Sequence, residues 1–114
     1  MTFDEYETEA ERTMARAAGE QVSKELHLAV MALGLAGEAG EVADKVKKVL
    51  RDHGGVFSPE QREALKLELG DVLWYVAQLA SELGFELEEI GAANLDKLAS
   101  RSARNVIAGS GDNR

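Results

Sequence analysis

The chain has 114 residues, a length that fits one compact domain with its own core and is short for two. Its 45% hydrophobic and 30% charged residues, with a single Pro, favour a globular and mainly helical protein. The formal net charge of -8 argues against general binding to nucleic-acid phosphates, and the absence of Cys excludes disulfides, thiolate metal ligands and cysteine nucleophiles.

The beginning of the sequence, MTFDEYETEAER, is acidic where a signal peptide would be basic and then apolar. No apolar run approaches the roughly 20 residues that are needed to span a bilayer. We therefore expect a cytoplasmic protein with neither a membrane nor a nucleic acid as its partner.

Two amphipathic helices are predicted in the first half of the chain. From about Thr2 to Ala18, apolar residues recur at steps of three and four: Phe3, Tyr6, Ala10, Met14 and Ala17. Gly19 predicts a break, and Ser23 is a potential N-cap for a second helix that reaches about Arg51, where DHGG supplies a glycine C-cap. Because Gly34, Gly37 and Gly40 each cost about 1 kcal/mol relative to Ala, we expect close helix approach or a bend there.

Two more helices are predicted in the second half. Ser58 as N-cap, Pro59 at the first helical position and Gln61 in a capping box mark the start of the third helix, which Gly84 ends. The fourth helix starts at about Leu87 without an obvious N-cap, and its apolar positions extend to Ile107. With no convincing strand, the sequence predicts an all-α four-helix bundle of helix hairpins, with a single domain over residues 1–108 and a flexible polar tail over residues 109–114.

Carboxylates interrupt the apolar stripes of helices two and three. In GLAGEAGEVADKVKK, Glu38 falls on the line of Leu35 and Val42, and Glu41 lies one turn further on. In ELGD, Glu68 and Asp71 have the same spacing as the first pair. If the two stripes face each other, all four carboxylates converge in a partly buried place, where repulsion and desolvation are costly unless cations compensate.

A site made only of carboxylates indicates a hard cation. Without Cys or a nearby His, Mg²⁺ or Mn²⁺ is favoured over Zn²⁺. Since Mg²⁺ usually shares its shell with substrate phosphates, a metal-bridged phosphate is the expected ligand. On helix four, Asn94, Lys97 and Arg101 step by three and four and so share a face that suits phosphate oxygens. The alternative is that Lys97 and Arg101 form a solvated helix edge paired with nearby acids.

These motifs resemble the MazG-like branch of the all-α nucleoside triphosphate pyrophosphohydrolases, which are relatives of dimeric dUTPases and phosphoribosyl-ATP pyrophosphohydrolase. The resemblance rests on GLAGEAGEVAD followed by ELGDVLWYV, which give the family's E-x-x-E and E-x-x-D pattern, and on the closing segment ANLDKLASR. It covers roughly residues 26–104. The chain carries one copy of the motif set, unlike the longer tandem-domain members of the family.

The resemblance implies hydrolysis of a nucleoside triphosphate between its α and β phosphorus, with a (d)NMP and pyrophosphate as products. It implies assembly as a homodimer or homotetramer. By analogy, the Mg²⁺ ligands are Glu38, Glu41, Glu68 and Asp71, and the substrate contacts are Asn94, Lys97 and Arg101. Either Glu38 or Glu41 is the candidate catalytic base that takes the proton of the attacking water.

Other interpretations of these residues stay open at this stage. A non-catalytic helical dimerisation module would leave Glu38 and Glu68 facing solvent without partners. His27 either lines a base pocket or is simply exposed or hydrogen-bonded. Aromatic residues that either stack on a base or belong to the core or a subunit interface are Trp74, Tyr75 and Phe85. Lysines that either help to hold phosphates or form a solvated face are Lys45, Lys47 and Lys48.

Overall fold

The computed structural model describes residues 1–17 and 23–114 and consists of four helices in the predicted order. They are α1 (Phe3–Ala17), α2 (Lys24–His53), α3 (Pro59–Glu82) and α4 (Leu87–Ala103), and no strand occurs in this part of the chain. The prediction of an all-α fold is therefore confirmed. Ala18 and the break predicted at Gly19 lie outside the described residues.

The ends of α2 and α3 follow the predicted capping signals. The Ser23 hydroxyl accepts a hydrogen bond from the Leu26 N–H at 3.1 Å. At the other end, α2 runs two residues further than expected, to His53, and Gly54 closes it with a left-handed φ of 61°. Ser58 and Gln61 form the predicted capping box, with hydrogen bonds of 3.1 and 2.8 Å.

Helix α4 starts at Leu87 as predicted but ends earlier than expected. Its N-cap is Glu86, whose backbone N–H donates to the Glu89 carboxylate at 2.8 Å, a cap that the sequence did not make obvious. The extension towards Ile107 is wrong, because the helix ends at Ala103. Asn105 adopts a left-handed φ of 57°, which turns the chain back before the apolar spacing can continue as helix.

Helices α2 and α3 form a long hairpin, while α1 packs against α3 and α4. The buried centre is small and consists mainly of Ala77, Ala80 and Leu87, with Tyr6 and Leu73 packed against it. Within the described ranges, α4 contacts α1 and α3 but not α2. The fold therefore positions the residues of α2 and α3 relative to each other and leaves α4 without a contact to α2 in the described ranges.

At Gly34, α2 and α3 approach each other closely. A Cβ atom built at this position would overlap the Tyr75 ring, with Tyr75 Cδ1 at 2.8 Å. The expected close approach is thus present at Gly34, whereas a Cβ at Gly37 or Gly40 would meet nothing within 4 Å. The helix-propensity cost of Gly34 is compensated by aromatic packing one turn before Glu38.

Many large apolar side chains are exposed on the single chain. Leu33 and Leu67 keep 72% and 69% of their surface accessible, and no large side chain is fully buried among the described residues. The radius of gyration is 17.0 Å, compared with about 13 Å for a compact chain of this length. One chain alone therefore encloses only part of its apolar surface.

By length and composition alone, α2 could cross a membrane, and it is the single helix in the described ranges that meets this criterion. Only 6% of the most apolar 18 residues of this helix are buried in the fold. A helix with Glu38 and Glu41 near its centre would place costly charges in the hydrocarbon core of a bilayer. The expectation that no membrane is involved stays a prediction.

Candidate metal centre

The α2–α3 hairpin brings together Glu38 of α2 with Glu68 and Asp71 of α3. Each residue offers a carboxylate oxygen, and the three oxygens lie within 4.8 Å of one another. Glu38 and Glu68 are half-buried and Asp71 is exposed. Hard divalent cations take such carboxylate oxygens as ligands at 2.0–2.6 Å, so oxygens at about this separation can share one ion. The donor set fits Mg²⁺ or Mn²⁺.

Glu41 lies at the edge of this cluster rather than within it. Its side chain is exposed, and its oxygens are not among the three that converge. It still acts on the cluster electrostatically, because the pKa of Glu38 is raised first by desolvation and then by the negative charges of Asp71, Glu68 and Glu41. Glu41 therefore belongs to the same electrostatic site, and its predicted role as a direct ligand stays a prediction.

Among the ion pairs of the described residues, the pair of Lys45 with Glu68 brings a cation to the cluster. Lys45 Nζ lies 3.2 Å from Glu68 Oε1, which partly offsets the crowded negative charge. Lys47 and Lys48 instead pair with Asp44 at 3.1 and 2.6 Å, and their hydrogen bonds lower the pKa of Asp44 to about 2, with Lys48 having the larger effect. The solvated-face interpretation thus fits Lys47 and Lys48, whereas Lys45 lies at the candidate site.

Helix α1 adds a residue that the sequence did not single out. Tyr6 is half-buried, and its pKa is raised by burial and then by the negative charge of Asp71. Its place in the apolar stripe of α1 predicted a core residue, and it does pack against the buried centre. The spacing within α1 carries no signal for its proximity to Asp71, because that proximity depends on how α1 packs against α3.

The residues predicted to contact substrate lie on α4, away from this hairpin contact. Lys97 Nζ and Arg101 Nη2 lie 3.5 and 3.4 Å from Asp112 Oδ1, and Arg101 is buried. Asn94 and Lys97 line an open groove of about 540 Å³ with an apolar wall that includes Phe85. In the described ranges, α4 makes no contact with α2, the helix that carries Glu38. Their role towards substrate stays a prediction.

Two other residues considered for a base pocket have partners within the fold. His27 Nε2 lies 3.1 Å from Glu82 Oε1, which links the start of α2 to the end of α3. Trp74 donates its indole N–H to Thr13 Oγ1 at 2.8 Å and stands edge-on to Tyr75 with ring centroids 5.0 Å apart. These contacts favour the hydrogen-bonded histidine and the packed aromatic pair over base stacking.

The fold and the acid cluster together define an all-α protein in which facing helices can hold a divalent cation between carboxylates. Comparison of the sequence with known families identifies the family to which this arrangement belongs. The MazG nucleotide pyrophosphohydrolase domain matches residues 27–106, and the chain belongs to this family. At the coarse level, membership makes a nucleotide the substrate class.

A curated relative is the Gene 37 protein of Mycobacterium phage L5. It is 58% identical over 87 residues, which make up 76% of this chain and 76% of the relative. Its name describes no activity. No solved structure matches the chain. The family assignment thus comes from the sequence comparison, and the geometry of the hairpin shows where its acidic motifs meet.

Proposed function

We propose that the protein is a Mg²⁺-dependent nucleoside triphosphate pyrophosphohydrolase that cleaves a (d)NTP between the α and β phosphorus, with nucleotide-pool housecleaning in the cytoplasm as its role. The observation that carries the proposal is the convergence of Glu38, Glu68 and Asp71 oxygens within 4.8 Å in a chain of the MazG family. A net charge of -8 repels a triphosphate unless cations compensate. Bound Mg²⁺ would supply that charge and lower the pKa of a water.

The side chains of the hairpin have separate roles in this proposal. Glu38, Glu68 and Asp71 would hold the cation. The Lys45 ammonium, 3.2 Å from Glu68 Oε1, would supply a positive charge for a phosphate oxygen beside the site. Glu41 stands outside the converging set, so its carboxylate remains available to accept the proton of the attacking water. We therefore propose Glu41 as the catalytic base and Glu38 as a cation ligand.

The alternative is a non-catalytic helical dimerisation module. It predicts that Glu38 and Glu68 face solvent and lack partners. Both side chains are half-buried, Glu38 lies in a cluster of like charges, and Glu68 is paired with Lys45. Crowded carboxylates in a partly buried place destabilise a fold unless a bound cation compensates for their charge. These contacts therefore favour the enzyme over the dimerisation module.

We also propose that the protein works as a homodimer or homotetramer. The exposed leucines and the large radius of gyration leave apolar surface for a second copy to cover. Within one chain, α4 makes no contact with α2 in the described ranges. In the assembly, Lys97 and Asn94 of one protomer would complete the site that the acid cluster of the other protomer begins.

The first experiment incubates purified protein with a panel of canonical and modified dNTPs and Mg²⁺ and separates the products by chromatography. The proposal expects a monophosphate and pyrophosphate. Diphosphate and orthophosphate would show a different cleavage position, and the absence of any turnover would favour the dimerisation module.

The second experiment separates the two glutamate roles. Glu38→Gln should abolish turnover and weaken Mn²⁺ binding measured by electron paramagnetic resonance. Glu41→Gln should keep Mn²⁺ binding and lower kcat by about 100-fold or more, the size of a lost general base. Glu63→Gln is a matched control, because Glu63 is exposed on α3 and paired only with Lys66 in the described ranges. Equal loss of Mn²⁺ binding in both active-site variants would contradict the assignment.

The third experiment tests completion of the site across protomers. Lys97→Ala should raise KM, and Glu38→Gln should be inactive. If two protomers share each site, refolding an equal mixture of these variants gives mixed dimers with one intact site, and about a quarter of the wild-type activity returns at substrate concentrations well below the KM of Lys97→Ala. Activity that never exceeds the sum of the two separate variants would place Lys97 and Glu38 in independent sites.

A further inference from the structure

The residues that follow α4 fold back onto that helix, and we name residues 105–114 the C-terminal segment. The Val106 N–H donates to the Arg101 carbonyl at 2.9 Å, directly after the left-handed turn at Asn105. Arg114 donates from Nε to the Val106 carbonyl at 3.0 Å and from Nη2 to the Ile107 carbonyl at 3.1 Å. The segment is therefore held by its own hydrogen bonds against the last turns of α4.

Asp112 places its carboxylate between two cations of α4. Its Oδ1 lies 3.5 Å from Lys97 Nζ and 3.4 Å from Arg101 Nη2. The positive charge of Lys97, followed by the hydrogen bond from Arg101, lowers the pKa of Asp112. A carboxylate that bridges an ammonium and a guanidinium occupies the position that a phosphate oxygen would take on the same pair.

Arg101 is closed off from solvent by this arrangement. The residue is 5% exposed, and its Nη2 also donates to the carbonyls of Gly111 and Asp112 at 3.4 and 3.2 Å. Its Nε is buried and has no hydrogen-bond partner among the described residues. A buried donor without an acceptor is costly, so the present contacts satisfy Arg101 incompletely. An external anion can reach the guanidinium only when the C-terminal segment moves.

We propose that Asp112 and the C-terminal segment act as an internal competitor for polyphosphate at the Lys97–Arg101 pair. The proposal rests on the proposed function only in taking this pair as the substrate contact. The contact is easily displaced, because the Asp112 and Lys97 side chains are 87% and 45% exposed and exposed ion pairs are weak. Competition of this strength reduces the apparent affinity for the anion by about threefold to tenfold.

The test measures binding of inorganic tripolyphosphate by isothermal titration calorimetry in Mg²⁺-free buffer. Asp112→Asn should bind about threefold to tenfold more tightly than the wild type, since the competing charge is gone. Asp96→Asn is the matched control: it changes the net charge equally, and Asp96 is exposed on α4 without an ion pair in the described part of the chain. No tightening in Asp112→Asn, or the same tightening in both variants, overturns the proposal.

A double variant ties the effect to the basic pair. Adding Lys97→Ala to Asp112→Asn should remove most of the gained affinity, because the released cation is then missing. A gain that survives this change would locate the anion elsewhere and overturn the proposal. Circular dichroism melting verifies that each variant is folded before it is titrated.

Turnover measurements separate this inference from the proposed function. If the enzyme is active, Asp112→Asn should lower KM for the nucleotide by a similar factor and leave kcat unchanged. If no variant turns over any nucleotide, the proposed function fails, while the tripolyphosphate titration still decides whether Asp112 competes for the pair.

Discussion

Replacing Gly34 by Ala tests the contact that holds α2 against α3 beside the acid cluster. A methyl group at this position would overlap the Tyr75 ring, and in a packed interface an added carbon that forces such an overlap costs about 1–3 kcal/mol. The same substitution at a helix interior gains up to about 1 kcal/mol of helix propensity. Gly34→Ala should therefore be neutral to clearly destabilising.

The informative quantity is the difference between Gly34→Ala and Gly40→Ala. Both positions lie inside α2, and a Cβ at Gly40 meets nothing within 4 Å. Because the propensity gain is shared, the difference in free energy of unfolding reports the overlap with Tyr75 alone, about 1–3 kcal/mol. At about 4–8 °C per kcal/mol for a domain of roughly this size, Gly34→Ala should melt at least several degrees below Gly40→Ala.

Thermal melting followed by circular dichroism measures this difference, with both variants at the same concentration and without metal. Gly37→Ala serves as a second control, since its Cβ also meets nothing within 4 Å. If Gly34→Ala melts together with the two controls, Tyr75 moves aside without cost. The close approach would then not be what compensates for a glycine at this position.

Three further outcomes follow from the described contacts. Without metal, Glu38→Gln should melt at or above the wild type, because it removes one of several crowded negative charges. Adding Mg²⁺ should raise the Tm of the wild type more than that of the variant. A large fall in the Tm of the metal-free variant would count against a shared acidic cluster. Thr13→Val should lower the free energy of unfolding by about 1 kcal/mol and shift the fluorescence of Trp74, because the indole N–H loses its acceptor. Thr8→Val, which loses only a hydrogen bond within α1, should leave the fluorescence spectrum unchanged. The pKa of Asp44 is lowered to about 2, so its charge stabilises the fold above its ordinary pKa near 3.8. The difference in Tm between the wild type and Asp44→Asn should therefore be present at pH 7 and shrink as the pH falls from about 4 towards 2; a difference that persists at pH 2 would point to a cause other than this charge.

Features that depend on one helix at a time could be predicted from the sequence. The Ser58 capping box and the glycine closing α2 are local hydrogen-bond patterns, and both are present as predicted. The facing of Glu38 and Glu68 also followed from the sequence, because helical spacing placed each on the apolar line that two helices use to pack. Helical periodicity was therefore sufficient to predict that these two carboxylates meet in the contact between α2 and α3.

Features that depend on how helices meet could not be predicted in this way. Tyr6 reaches the field of Asp71 only through the packing of α1 on α3. Arg101 shares the predicted face with Lys97, yet it is buried beneath residues ten and eleven positions further along the chain. The chain folds back onto α4 at the left-handed turn at Asn105. The apolar spacing that continues to Ile107 predicted helix at this position and so gave no sign of the turn.

The α2–α3 hairpin is held together near both of its ends. At one end, His27 Nε2 of α2 lies 3.1 Å from Glu82 Oε1 of α3, and at the other end the short connection from Gly54 to Ser58 joins the two helices. At about 1.5 Å per residue, the 30 residues of α2 extend over about 45 Å, and Glu38 lies close to the midpoint. The contact between Gly34 and Tyr75 lies one turn before Glu38, so it adds a further point of attachment between the two helices close to the middle of α2.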